Sequence, residues 1–73
     1  MIYWTANNNS GFLNGYRCAA TMLAAVRDAR AYIRGELFGE GKAYFFDGQP
    51  TEYDEPIRTD ERSIFTGYRW RTV

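Results

Sequence analysis

The chain has 73 residues, nine acidic and nine basic side chains, no histidine, one cysteine, and 45% hydrophobic residues. Composition of this kind makes one small globular domain, not a disordered segment. The missing histidine removes Ser-His and Cys-His nucleophile pairs and the commonest transition-metal ligand, and the lone Cys18 excludes an internal disulfide framework and a multi-cysteine zinc site.

Residues 2–6 are β-branched and aromatic and predict a short strand. Asn7-Asn8-Asn9-Ser10-Gly11 is a turn cluster, because asparagine tolerates left-handed backbone and competes for backbone hydrogen bonds. A second turn signal, Asn14-Gly15, precedes a short extended piece around Tyr16-Arg17-Cys18. Cys18, next to Ala19 and Ala20, is expected to be a small buried thiol. The clearest element is a helix from about Met22 to Arg34, capped by Thr21 and ended by Gly35. Met22, Val26, Ala29 and Ile33 recur at helical spacing and form one apolar face, widened by Ala25 and Tyr32. At three and a half turns the helix is too short to persist alone, so it must pack on a sheet.

Lys42-Ala43-Tyr44-Phe45-Phe46 predicts a strand that stops at Asp47-Gly48. Pro50 argues against an immediate partner strand, so residues 47–61 read as a long acidic connection, with room for one short extended or helical piece. Connections of that length are more often functional than idle. Ser63 to Val73 alternates two faces and predicts the last strand. The expected fold is therefore α+β: an antiparallel sheet of about three strands, in the order β-α-β-β, packed against one helix as a single domain over residues 1–73. The other face of such a sheet is left to solvent or to a partner.

The charges cancel but are not mixed. Residues 17–35 carry four arginines against Asp28, residues 36–61 carry eight acids against Lys42 and Arg58, and residues 62–73 carry three arginines and no acid. The acidic block concentrates Glu52, Asp54, Glu55, Asp60 and Glu61 around Tyr53. It lacks the spacing of a calcium loop. An aromatic ring among carboxylates suits an interface anchor, because tyrosine is enriched in binding hot spots. Those six residues are the candidate protein-binding site, for a partner with a basic surface. The competing reading is a solvated loop, or acids that pair internally with the arginines.

Arg27, Arg30 and Arg34 line one flank of the predicted helix, and Arg69 and Arg71 alternate with Tyr68 and Trp70 on the last strand. Arginines beside exposed rings form a stacking and phosphate-binding surface, so these five residues are the candidate site of a second reading, nucleic-acid binding. The neutral overall charge weighs against it, and so does the alternation, which would send Trp70 into the core.

A serine nucleophile would have to be Ser10 or Ser63, and neither has a general base available to it; no phosphate-binding glycine pattern is present. The expectation is a non-enzymatic binding module with no cofactor and no metal, capable of forming a homodimer. Small single-domain chains of this size often inhibit or regulate larger, nucleic-acid-handling machines of mobile elements or phages. Anti-CRISPR proteins are among them, and the analogy is one of size and layout alone. Met1-Ile2-Tyr3-Trp4 resembles no signal segment and no apolar run approaches a membrane span, so a soluble, cytoplasmic protein is expected.

Overall fold

The computed structural model describes all 73 residues. The chain runs through β1 (Ile2–Asn8), β2 (Gly11–Phe12), β3 (Arg17–Ala19), α1 (Met22–Glu36), β4 (Gly41–Asp47), β5 (Arg58–Arg62), a single 3-10 turn (Ile64–Thr66) and β6 (Arg71–Thr72). The α+β class and the single helix agree with the sequence. The sheet, however, has six antiparallel strands and not three. Its order is β2-β1-β4-β5-β6, and β3 pairs with β1. Helix α1 leads from β3 to β4, which pair with β1 separately.

The β1–β4 register places Trp4 beside Phe45 and Ala6 beside Ala43. Alternation then sends these four to the helix side of the sheet. They meet Ala25, Ala29, Ile33 and Leu37 in one buried cluster, with Met22, Val26 and Tyr32 packed on its margin. The predicted apolar face of the helix is thus the face it buries. Two alanines opposite a tryptophan and a phenylalanine let the helix sit close, so large rings and small side chains interlock.

Thr21 caps the helix by accepting from the Ala24 amide, as its sequence position predicts. The C-terminus corrects the expectation. Gly35 stays helical, and the chain turns left-handed only at Phe38 (φ 60°) and Gly39 (φ 86°). The Asn8 side-chain Nδ2 donates to the carbonyls of Leu37 and Glu40 and ties this turn to the end of β1. Gly41 is required here: its φ is 156°, and a Cβ would lie 2.7 Å from the Asn7 carbonyl oxygen.

Two further expectations fail. The strand predicted over residues 63–73 is mostly irregular. Ser63 and Thr66 form a reciprocal capping box that closes the 3-10 turn. Gly67 and Tyr68 then both adopt positive φ, which breaks the alternation. Only Arg71–Thr72 is extended. The third long strand lies in the supposed acidic connection, at Arg58–Arg62. Cys18, expected to be buried, is exposed on β3, which borders only β1. No helix is long and apolar enough to cross a membrane.

Candidate functional site

The six residues of the acidic candidate site divide into two groups with opposite fates. Asp60 pairs with Ala43 and so faces the helix side of the sheet, where it is fully buried. Its Oδ2 accepts from Arg30 Nε and Nη2 at 3.0 and 2.8 Å, and its Oδ1 accepts from Arg58 Nε at 2.8 Å. The Thr72 hydroxyl donates to the same Oδ1 at 3.1 Å. Burial, the largest single influence, pushes the Asp60 carboxyl up. The hydrogen bonds and charges of Arg58 and Arg30 outweigh it and hold the group below the usual carboxylate range.

Glu61 faces the opposite side and is nearly buried between Arg71, which donates to it, and Lys42, whose Nζ lies 3.8 Å away. Asp60 and Glu61 are therefore structural ion-pair centres and are withdrawn from the candidate binding surface. Asp60 has its lone pairs taken by Arg30, Arg58 and Thr72, and the charge of Glu61 is already matched by Arg71 and Lys42.

Glu52, Tyr53, Asp54 and Glu55 form the other group. They sit on the irregular connection between β4 and β5, and all four are exposed. Tyr53 is 86% exposed, and Ile57 at the end of the same loop is exposed too. The loop is locally built. Asp54 Oδ2 accepts from the Thr51 amide at 2.8 Å, and the Asp54 amide donates back to the Thr51 carbonyl at 3.2 Å. The Ile57 amide then donates to Phe45, which starts the β4–β5 pairing. None of these carboxylates forms an ion pair.

The arginine candidates are dispersed. Arg30 is locked on Asp60 and also lies 4.9 Å from the Trp70 ring centre. Arg71 is held by Glu61, and Arg27 faces Asp28 at 3.6 Å on the surface. Arg34 and Arg69 are exposed and form no ion pair. Trp70 is half-buried against the core and stacked by Arg30 and Arg62, so it is a packing residue and no platform. The rings on the sheet face away from the helix are others: Tyr3, Tyr44 and Phe46, with the edge of Tyr16 set on Phe46 at 5.7 Å.

Sequence reading missed two features. One is a cleft of about 660 Å³ between α1 and β3, to which Trp4, Arg17 and Tyr32 contribute. The other is the set of exposed phenylalanines, Phe12, Phe38 and Phe65. Nothing in their local patterns separates them from core rings. No protein-family model matches this sequence, and comparison with curated proteins and with solved structures gives no significant match.

Proposed function

We propose that this chain is a non-enzymatic protein-binding module whose contact surface is the loop between β4 and β5. Glu52, Asp54 and Glu55 supply the charge and Tyr53 the anchor. The observation that carries the reading is Tyr53, an exposed ring among carboxylates that no cation neutralises, on a turn braced by Asp54. Solvated carboxylates attract a basic surface over roughly a Debye length of 8–10 Å. A tyrosine, with two rotatable side-chain bonds, then supplies apolar area at low entropic cost. The partner is a protein with a basic face, and inhibition or regulation of a nucleic-acid-handling machine is the role such a surface would serve.

The test is a charge reversal at Glu52 and Glu55 combined with Tyr53→Ala, with Asp60 and Glu61 left intact so that the fold is unaffected. Partners captured from extract by the native chain are expected to be lost by this variant and retained by Arg34→Glu. Recovery of the same partners at the same salt by the triple variant would sink the reading.

Nucleic-acid binding is the second reading, supported by Arg34 and Arg69, which are exposed and form no ion pair. It predicts affinity that falls steeply with salt through counterion release, and a flat gel-shift titration at low salt would remove it.

A further inference from the structure

The loop between β2 and β3 carries Asn14-Gly15, a turn that the proposed function does not use. Asparagine is a thermolabile residue. When glycine follows it, the glycine backbone nitrogen lies within reach of the side-chain carboxamide, and no Cβ hinders its approach. In a folded chain the attack needs both groups free, and a backbone able to fold back at the asparagine.

The four asparagines of this chain differ in that respect. Asn7 is paired with Phe12 on one side and Lys42 on the other, so its backbone is held extended within the sheet. Asn8 has its Nδ2 bonded to the carbonyls of Leu37 and Glu40, at 3.0 and 2.9 Å. Asn9 is followed by Ser10, whose amide donates to Asn8 Oδ1 at 2.8 Å. Asp47-Gly48, the other dipeptide open to the same ring closure, is restrained as well, because the Gly48 amide donates to the Met1 carbonyl at 3.1 Å. Asn14-Gly15 has none of these restraints. Both residues are exposed and lie outside every helix and strand. Neither the Asn14 carboxamide nor the Gly15 amide forms a hydrogen bond. Gly15 has a φ of 86° and open space where a Cβ would stand.

We propose that Asn14 is a site of spontaneous modification, at which the folded chain loses ammonia and becomes a mixture of aspartate and isoaspartate. The Gly15 nitrogen gives its proton to base and bonds to Asn14 Cγ. The Cγ–Nδ2 bond breaks, and Nδ2 leaves as ammonia after taking up a proton. The product is a five-membered succinimide, which water opens at either carbonyl. Attack at Cγ breaks its bond to the Gly15 nitrogen and leaves an ordinary aspartate. Attack at the main-chain carbonyl carbon leaves isoaspartate, with the chain running through Cγ. The sum is carboxamide plus water giving carboxylic acid plus ammonia, with no change of oxidation state. Either product adds one acid to the nine already present, against nine bases, so the neutral chain acquires a charge of −1. Isoaspartate also adds a backbone carbon between two anchors. These are Leu13, whose amide donates to the Ala6 carbonyl at 2.8 Å, and Tyr16, whose ring meets Phe46 edge-on at 5.7 Å. The exposed turn between them takes up that length, so the fold survives the change. The site is separate from the β4–β5 loop and does not depend on the role assigned to that loop.

The test is incubation of the native chain at physiological temperature in mildly alkaline buffer, followed by chymotryptic mass mapping. Cleavage after Phe12 and Leu13 separates Asn14 from Asn7, Asn8 and Asn9. The Asn14 peptide should gain the mass by which OH exceeds NH₂ and split into two chromatographic forms, aspartyl and isoaspartyl. The peptide with the other three asparagines should keep its mass. The reaction should slow in mildly acidic buffer, where less of the Gly15 nitrogen is deprotonated. It should be lost over the same interval in Asn14→Gln, whose longer side chain would have to close a larger ring. In urea the restraint on the Ser10 amide disappears, so reaction at Asn9 should rise relative to Asn14. An Asn14 peptide that keeps its original mass in the native chain overturns the proposal. So does a ratio of Asn9 to Asn14 reaction that is the same in the folded chain as in urea.

Discussion

Removing the Asp60 carboxylate would leave the guanidinium groups of Arg30 and Arg58 converging on a buried position with nothing to neutralise them. Their side chains keep only 28% and 29% of their exposure, so solvent cannot take over fully. Breaking a buried pair from one side costs about 3–5 kcal/mol, and partial exposure places this site at the lower end, near 3 kcal/mol. Asp60→Ala is expected to lose about that much in urea denaturation, while Arg34→Ala on the open helix surface should lose less than about 0.5 kcal/mol. The pH dependence has a definite sign. The folded carboxyl is held below its ordinary value, and the unfolded one titrates near 3.9. Its contribution is therefore complete above about pH 4 and is lost as pH falls toward the folded value, because the unfolded chain takes up the proton first. In Asp60→Asn the acid limb of the stability curve should be shallower than in the native chain.

The helix and strand β5 differ in how far their sequences announce them. Helix α1 is legible because Ala25, Ala29 and Ile33 recur at i, i+4 and i+8 and have a common destination in the core. Ile33→Ala should cost about 3 kcal/mol by the scale of large-to-small core changes, and Leu23→Ala, at 82% exposure, less than about 0.5 kcal/mol. Thermal unfolding followed by circular dichroism separates the two. Strand β5 is illegible to hydrophobic alternation, because its helix-facing side is Arg58, Asp60 and Arg62, charged at every position. The period of two is present, but it is written in ion pairs and ring contacts and contains no apolar residue on that side. The opposite error befell residues 63–73, whose aromatic alternation is genuine in sequence. The Ser63–Thr66 capping box and two consecutive left-handed residues override it. A serine three residues before a threonine, followed by glycine, was the local signal for a turn there. At Gly41 the same backbone logic makes a prediction. Gly41→Ala must push Asn7 aside or distort φ, and should destabilise by about 1–3 kcal/mol in the same assay.

Across the whole molecule, the segregated charges prove to be sorted by depth. The acidic block donates Asp60 and Glu61 to the arginines and the lysine of the sheet and helix, and leaves Glu52, Asp54 and Glu55 in solvent. Internal pairing and an exposed acidic surface, weighed as alternatives in the sequence, therefore coexist within one segment. They were inseparable there because register decides between them, and register is set by β4 through pairs such as Ala43–Asp60, thirty residues from Arg30. Under the proposed binding role, fold and recognition are separable. Residues 49–55 contain no buried side chain, and pairing resumes at Ile57 through its bond to Phe45. Replacing residues 49–55 by Gly-Ser shortens the loop, which recovers a few tenths of a kcal/mol of closure entropy. It forfeits only the Thr51–Asp54 turn and the half-buried Pro50. The Tm of this variant should stay within about 5 °C of the native chain, equivalent to roughly 1 kcal/mol in a domain this size. Its partner binding should disappear at every salt concentration. A variant that melts far lower would make the loop part of the scaffold, and one that still binds would move the recognition surface elsewhere on the sheet.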